Sequence, residues 1–221
     1  MTQSARINNK HTKISTTTYN KSMLAIYCSI AITVTGCSTL PKHTIESIPE
    51  TTLQVDTTQT TLAQIIQPLQ EQHPELTGYL VLFEPLEALS ARLRLIDKAE
   101  KTLDLQYYIW DNDKVGALAL HALIRAADRG VRVRLLIDDN NAKSTEGIFL
   151  ALAQHPNIEV KLFNPYRFRK YRALDMILDL KRINRRMHNK SFIADHQVAL
   201  IGGRNMTNQY YNVSDNYQFS D

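Results

Sequence analysis

The chain has 221 residues, 43% of them hydrophobic, which is enough for one or two ordinary domains with a packed core. Its formal charge is +4, but four of its 26 basic residues precede Cys37, where no Asp or Glu occurs. The rest of the chain carries 22 basic and 22 acidic residues, and this balance argues against a general nucleic-acid-binding protein. Both cysteines, Cys28 and Cys37, lie near the start, so no downstream disulfide or thiolate metal site is expected.

The N-terminal region has the pattern of a bacterial export signal. Basic residues up to Lys21 precede an apolar run, Met23 to Val34, that is short for a membrane span. Val34-Thr35-Gly36-Cys37 resembles a lipobox, so we expect residues 1–36 to be a lipoprotein signal peptide and Cys37 to be lipidated. An uncleaved anchor or an ordinary signal peptide would also fit this run. The residue after Cys37 is Ser38 and not the aspartate that is associated with inner-membrane retention. We therefore expect the protein to be attached to the outer membrane and to face the periplasm.

Residues 37–61 are rich in Thr, Ser, Pro and Gln and predict a flexible tether before a folded domain over residues 62–221. Apolar periodicity then predicts helices that begin near Leu62, Pro85, Val115 and Ile148. Predicted strands cover Thr102–Trp110, Val131–Ile137 and Glu159–Phe163, and Gly78–Phe83 is expected to be a short strand or an extended segment. Helices that alternate with strands are typical of an α/β domain around a mainly parallel sheet.

The segment from Lys161 to Lys190 is strongly basic. It contains ten Lys or Arg residues, and its only acidic residues are Asp175 and Asp179. One interpretation is a solvated helix with an apolar stripe against the core. The other is a basic surface that meets anionic lipid headgroups. The two interpretations are compatible, and both stay open at this stage.

The stretch from His188 to Asn205 carries the candidate chemistry. Short apolar runs at Ser191–Ala194 and Val198–Ile201 predict a β-hairpin that enters a buried sheet. Residues two apart in a strand point to the same face, so His188 and Lys190 are expected to project into one site. An imidazole can attack phosphorus, and an ammonium can hold the negative oxygens of a phosphate.

The pattern His188-x-Lys190-x4-Asp195, followed by Gly202-Gly203-x-Asn205, resembles the HKD signature of the phospholipase D superfamily. Two upstream blocks, Leu105–Trp110 and Arg125–Asn140, resemble the bacterial branch that contains cardiolipin synthase C. The resemblance implies a phospholipase D-like α/β sandwich with a mainly parallel central sheet flanked by helices. It also implies phospholipid substrates, phosphatidylglycerol or phosphatidylethanolamine, and makes nucleic acid an improbable partner.

The resemblance also implies a role for each motif residue. His188 would be the nucleophile that forms a phosphohistidine, and Lys190 and Asn205 would bind the phosphoryl oxygens. Asp195 would mainly support the motif structurally, as an aspartate at a turn often does. Ser191 either contributes a hydroxyl to phosphate binding or only starts the strand. Asp221 lies near the place of the acid that orients the histidine in family members.

Two further groups of residues leave alternatives open. Tyr107, Tyr108 and Trp110 are candidates for substrate contact, but an aromatic strand of this kind is more often part of the core. Asp138, Asp139 and Asn140 look like a metal-binding trio. We favour their being polar residues that close a strand, because the family chemistry needs neither a metal nor another cofactor.

The chain has one copy of the HKD motif, whereas the family site is built from two. We therefore expect the N-terminal half of a longer enzyme or the product of a disrupted gene. Three hypotheses follow. The first is half of a cardiolipin synthase-like phosphatidyltransferase, the second is a single-motif phosphodiesterase or endonuclease completed by homodimerisation, and the third is an inactive fragment.

Overall fold

The computed structural model describes residues 55–213. The predicted signal peptide, Cys37, the tether up to residue 54 and Asp221 lie outside the described residues. Its helices are α1 (Thr61–Gln72), α2 (Pro85–Lys98), α3 (Lys114–Asp128), α4 (Glu146–Leu152), α5 (Arg172–Leu178), α6 (Leu180–Ile183) and a 3-10 turn at Asn208–Tyr210. Its strands are β1 (Thr102–Tyr107), β2 (Arg132–Asp138), β3 (Ile158–Phe163), β4 (Lys190–Ala194) and β5 (Val198–Ile201).

The five strands form one sheet in the order β3-β2-β1-β4-β5. Strands β1, β2 and β3 run parallel, as the helix–strand alternation predicts. Strand β4 pairs with β1 in the antiparallel direction, and β5 pairs with β4 in the same way. The short connection between β4 and β5 permits only an antiparallel pair, since parallel neighbours need a long crossover. The predicted α/β class is confirmed, with a parallel centre and an antiparallel hairpin at one edge.

The core lies between one face of the sheet and helices α2, α3 and α4. Alternate strand residues are buried there, and they form one cluster with apolar residues of the three helices. The buried strand residues include Leu103, Leu105, Tyr107, Val133, Leu135, Ile137 and Phe192. Period-two burial of this kind places the intervening residues on the other face of the sheet. That second face carries more exposed residues, among them Arg134 and Ile201.

Both ends of helix α3 are defined by residues suited to a helix terminus. The Asp113 carboxylate accepts a hydrogen bond from the Gly116 N–H at 2.9 Å and so caps the first turn. Gly130, just after the helix, has a φ of +93°, a conformation that residues with a side chain rarely adopt. These two ends fix the length of the crossover that joins β1 to β2.

Three segments refine the expectation. Thr57 and Thr60, in the predicted tether, are buried, and Gln197 Nε2 donates to Thr57 Oγ1 at 3.1 Å. Residues 78–83 form no strand, and the basic segment folds as the two short helices α5 and α6. No helix within residues 55–213 is long and apolar enough to cross a membrane.

Candidate active site

The antiparallel hairpin places Lys190 at the end of the sheet where β1 finishes. Lys190 is opposite Tyr107 in the β1–β4 register, so both belong to the same end of the core face. The lysine is buried, with 8% of its surface exposed, while His188 lies outside the strand and is exposed. The nucleophile candidate is therefore open to substrate, and the cation beside it is held by the fold.

His188 and Lys190 are in direct contact. Lys190 Nζ lies 3.0 Å from His188 Nδ1, 3.3 Å from His188 Nε2 and 3.0 Å from the His188 carbonyl oxygen. The predicted juxtaposition of the two side chains is present in the structure. It places a positive charge beside both ring nitrogens, where a phosphate under attack would carry its negative oxygens.

An aromatic ring supports this pair. The Tyr108 ring lies 4.7 Å from the His188 ring, tilted by 47°, and 5.3 Å from Lys190 Nζ. Asn140 Nδ2 donates to the Tyr108 hydroxyl at 3.3 Å, and the Tyr166 hydroxyl donates to Asn140 Oδ1 at 2.8 Å. Tyr108 thus touches the candidate site on one side and a polar network from the end of β2 on the other.

The backbone before His188 is anchored by Asp138. This carboxylate is fully buried at the carboxyl end of β2 and accepts hydrogen bonds from Met187 N at 2.8 Å and Arg186 Nη1 at 3.0 Å. It also accepts from Asn140 N at 2.8 Å. Asp138 therefore fixes the approach of the chain to His188, a role that its position after a strand does not reveal in the sequence.

Asn205 is held at the same end of the sheet. Its side chain is buried, and Oδ1 accepts a hydrogen bond from Ile109 N at 3.0 Å. Backbone bonds between Ile109 and Met206 and between Asp111 and Met206 keep the two segments side by side. Since Oδ1 is already an acceptor, the predicted phosphate contact falls to the Nδ2 amide, which donates hydrogen bonds.

Asp195 does not face the histidine but closes the hairpin. It is fully buried in a left-handed turn conformation, with a φ of 48°. Its Oδ1 accepts from Lys101 N and Thr102 N at 2.8 Å each, and its Oδ2 accepts from Glu100 N at 2.9 Å. These contacts give the motif aspartate a structural position, tying the β4–β5 turn to the start of β1.

Two other candidate residues are not brought to the pair by the described structure. Ser191 is opposite Gln106 and Ile201 in the strand registers. Because successive strand residues point to opposite faces, its side chain lies on the other side of the sheet from Lys190. Asp221 lies outside the described residues, so its predicted orienting contact with His188 stays a prediction.

The aromatic residues of β1 and the following turn divide into two groups. Tyr107 and Trp110 are fully buried core residues whose rings meet edge to face, with centroids 5.4 Å apart. Burial raises the pKa of the Tyr107 hydroxyl. Tyr108 is only partly buried and is the aromatic residue of the three that touches His188.

Buried carboxylates neutralise much of the basic segment. Asp139 is fully buried and binds the guanidinium groups of both Arg169 and Arg172. Arg182 binds Asp175 and Asp179, and its hydrogen bond lowers the pKa of the Asp179 carboxyl. The trio at the end of β2 therefore holds arginines and backbone N–H groups. Within residues 55–213, no three carboxylate, histidine or cysteine side chains form a group suited to a metal ion.

The family assignment agrees with this geometry. The family described as cardiolipin synthase, phospholipase D-like domain, matches residues 93–219, more than half of the chain. The chain belongs to this family and, through it, to the phospholipase D superfamily. At the level of the family, the activities are phosphodiester cleavage and phosphatidyl transfer.

Two curated relatives and one solved structure are similar to this chain. Cardiolipin synthase C of Escherichia coli (strain K12) is 51% identical over 160 residues, which are 72% of this chain and 34% of that protein. An uncharacterized protein of Helicobacter pylori (strain J99) is 38% identical over 178 residues, 80% of this chain and 35% of that protein. The crystal structure of phosphatidylserine synthase from Haemophilus influenzae Rd KW20 is similar to this chain with a TM-score of 0.47 and 19% sequence identity. The match covers 62% of this chain and 30% of that one. The chain spans about a third of the length of the curated relatives it matches.

Proposed function

We propose that this chain carries half of a phospholipase D-type phosphatidyltransferase site, of the cardiolipin synthase kind, that acts on phospholipid phosphodiesters. The observation that carries the proposal is the contact between exposed His188 and buried Lys190, with Nζ 3.0 Å from Nδ1. An accessible imidazole beside a fixed cation is suited to attack on a phosphodiester, because the cation stabilises the charge that develops on phosphorus oxygens. The family and the 51% identity to cardiolipin synthase C favour lipid as the substrate.

In the proposed first step, a ring nitrogen of His188 attacks phosphorus, and a nitrogen–phosphorus bond forms. The bond from phosphorus to the headgroup oxygen breaks, and the departing alkoxide takes a proton from a general acid. Lys190 and the Nδ2 group of Asn205 hold the two non-bridging oxygens throughout. In the second step an acceptor hydroxyl attacks phosphorus, gives its proton to the same group and releases His188. Water as acceptor gives phosphatidic acid, and the glycerol hydroxyl of phosphatidylglycerol gives cardiolipin.

The general acid in this scheme is the histidine of a second HKD motif. The chain holds one copy of the motif, so the second histidine comes either from another HKD half or from a second copy of this chain. A homodimer would supply both roles from one sequence, as in the single-motif alternative. The active form is therefore an assembly that contains two HKD motifs, and the isolated monomer is inactive.

A membrane location is part of the same proposal. Cys37, in the lipobox-like sequence, would carry the acyl chains that anchor the protein to a membrane of the cell envelope. The favoured location is the outer membrane, with the protein facing the periplasm. Palmitate labelling of the expressed chain, compared with a Cys37→Ser variant, tests the lipidation. A label that persists in the variant contradicts it.

The experiment for the reaction uses phosphatidylglycerol with a labelled phosphate. The full chain is incubated with it in detergent micelles and quenched under conditions that preserve phosphohistidine. His188→Ala is expected to abolish both the trapped adduct and turnover. His196→Ala is the matched control, because His196 lies on the same hairpin and is partly exposed but is paired with Asp104.

The products and the assembly state separate the hypotheses. Cardiolipin or phosphatidic acid produced by a dimer supports the proposal. If the chain is monomeric, the test is to add the half of a two-motif relative that carries its second HKD motif. Nicking of plasmid DNA without lipid turnover would instead support the endonuclease alternative. Absence of adduct in every assembly would leave the inactive fragment. Turnover that survives His188→Ala would remove the nucleophile assignment.

A further inference from the structure

The segment of α5 and α6 places large apolar side chains in solvent. Ile177 is 78% exposed, Leu178 69% and Leu180 57%. Tyr171, at the start of α5, is 60% exposed. We name Tyr171, Met176, Ile177, Leu178 and Leu180 the α5–α6 apolar surface. Five large exposed apolar side chains within one ten-residue stretch indicate an interaction site, whereas scattered single exposed apolar residues do not.

The charges around the α5–α6 apolar surface have one dominant sign. The acidic residues of the segment are turned inward or paired: Asp175 is buried and accepts from Phe168 N and Arg182, and Asp179 binds Arg182. Exposed cations of the same segment are Arg167, Lys170 and Arg185, of which Arg167 lies 3.9 Å from the Asp179 carboxylate. Lys170 Nζ also lies 5.6 Å from the centroid of the Tyr171 ring.

We propose that the α5–α6 apolar surface and its exposed cations dock on the surface of an anionic phospholipid bilayer. Apolar and aromatic side chains flanked by Lys and Arg are the composition of helices that lie in the membrane interface. The cations fit a negative lipid surface, while internal pairing of Asp175 and Asp179 removes the repulsion that their carboxylates would cause. The complementarity of charge favours a bilayer over a second protein surface as the occupant.

The position of this surface explains why docking matters to the candidate site. Ile183 at the end of α6 is buried, and Arg186 and Met187 are fixed by Asp138 immediately before His188. The chain from the docked helices to the histidine is therefore short and anchored. Docking would place His188 near the headgroup phosphates of the same bilayer. The choice of lipid as partner rests on the proposed function, but binding requires no chemical step.

The test measures the fluorescence of a tryptophan introduced on the α5–α6 apolar surface, which is practical because the chain has one native tryptophan. Trp110 is buried, so a second tryptophan introduced on the surface reports its own surroundings. The full-chain variant Ile177→Trp is mixed with vesicles of phosphatidylglycerol and phosphatidylcholine in equal parts, with and without brominated acyl chains. A blue shift of the emission and quenching by the brominated lipid are expected. Leu150→Trp, at a position 62% exposed on α4, is the matched control and should show neither.

The contribution of charge is measured in the same variant. Adding Lys170→Gln to Ile177→Trp should raise the lipid concentration for half-maximal quenching roughly five-fold, whereas adding Lys98→Gln on α2 should leave it unchanged. Because the reporter is local, attachment through the N-terminal region alone does not reproduce the quenching at position 177.

Several outcomes would overturn the inference. They are equal quenching at positions 177 and 150, no quenching at 177, or a blue shift that grows with protein concentration in the absence of lipid, which indicates self-association. Adding His188→Ala keeps the expected quenching, so loss of the proposed catalysis and loss of docking are distinguishable. Circular dichroism of each variant verifies that the fold is retained.

Discussion

The carboxylate of Asp138 accepts the backbone N–H of Met187 at 2.8 Å, one residue before the candidate nucleophile. This bond joins the carboxyl end of a parallel strand to the entry of the antiparallel hairpin, across a separation of 49 residues. Arg186 adds a second bond to the same carboxylate, which has no exposed surface. The position of His188 therefore depends on a buried acid in a different strand.

Replacing this acid tests the dependence. Asp138→Asn keeps the size of the side chain but turns one acceptor oxygen into an amide donor and removes the charge that pairs with Arg186. We expect the free energy of unfolding to fall by about 1–3 kcal/mol, because buried donors lose their acceptor. Phosphohistidine yield should fall as well, since the backbone before His188 is released. Urea denaturation and adduct trapping measure the two effects.

Asp128→Asn is the matched control for this substitution. Asp128 has a side chain that is 64% exposed and pairs with His155 at the surface. A surface pair of this kind contributes little, so its loss should leave stability nearly unchanged. Equal stability losses in the two variants would show that the buried bonds to Asp138 have no special importance.

Tyr108 is predicted to position the His188 and Lys190 pair through its ring. Tyr108→Leu removes the aromatic face and should slow phosphohistidine formation roughly two- to thirty-fold, the range expected for loss of a cation–π contact of about 0.5–2 kcal/mol. Tyr108→Phe keeps the ring and loses only the bond with Asn140, so it should restore most of the rate. Rapid-quench trapping measures both variants.

The control for the aromatic series is Tyr79→Leu. Tyr79 is 89% exposed in the segment between α1 and α2, and its replacement should not alter the rate. If Phe and Leu at position 108 have equal effects, the ring is not the positioning element, and the polar network through Asn140 becomes the better explanation of any loss.

Local sequence patterns predicted most of the fold because their physical causes are local. Strand alternation, helix periodicity and the hairpin follow from which side chains must be buried. The contact between His188 and Lys190 was predictable for the same reason, since their spacing of two residues fixes a common direction near the strand. The same rule separates Ser191 from Lys190, because neighbouring strand residues point to opposite faces of the sheet.

Long-range partners were not predictable from these patterns. The sequence shows ten cations between Lys161 and Lys190, but only the structure shows that Asp139 holds Arg169 and Arg172. Likewise, three aromatic residues lie within four positions, and only Tyr108 contacts the His188 ring, whereas Tyr107 and Trp110 are buried in the core. Such partners come from different elements, so no spacing within one element reveals them.

Lys190 is predicted to stabilise the phosphate under attack. Lys190→Met keeps an unbranched side chain at a buried strand position and removes the ammonium beside His188. The rate of phosphohistidine formation should fall about 100- to 1,000-fold, as when one preorganised donor to a developing oxyanion is lost. Lys98→Met, at an exposed position on α2, should have the native rate. A native rate in Lys190→Met would assign the phosphate contact to other residues.

Asp195 is predicted to contribute to stability and only indirectly to chemistry. Its two oxygens accept three backbone N–H groups at the start of β1, and the side chain has no exposed surface. Asp195→Asn replaces one acceptor oxygen by a donor that faces an N–H group, so we expect a loss of about 1–3 kcal/mol in the free energy of unfolding. Chemical denaturation gives this value.

The comparison for Asp195 is Asp97→Asn, because Asp97 is half exposed and pairs with Arg125 at the surface. That variant should unfold like the native chain. Well below the denaturation midpoint, the folded Asp195→Asn protein should still form the His188 adduct at a rate close to native, since the carboxylate touches the start of β1 and not the imidazole. A large loss of adduct in the folded Asp195→Asn protein would contradict this division and place Asp195 in the chemical step.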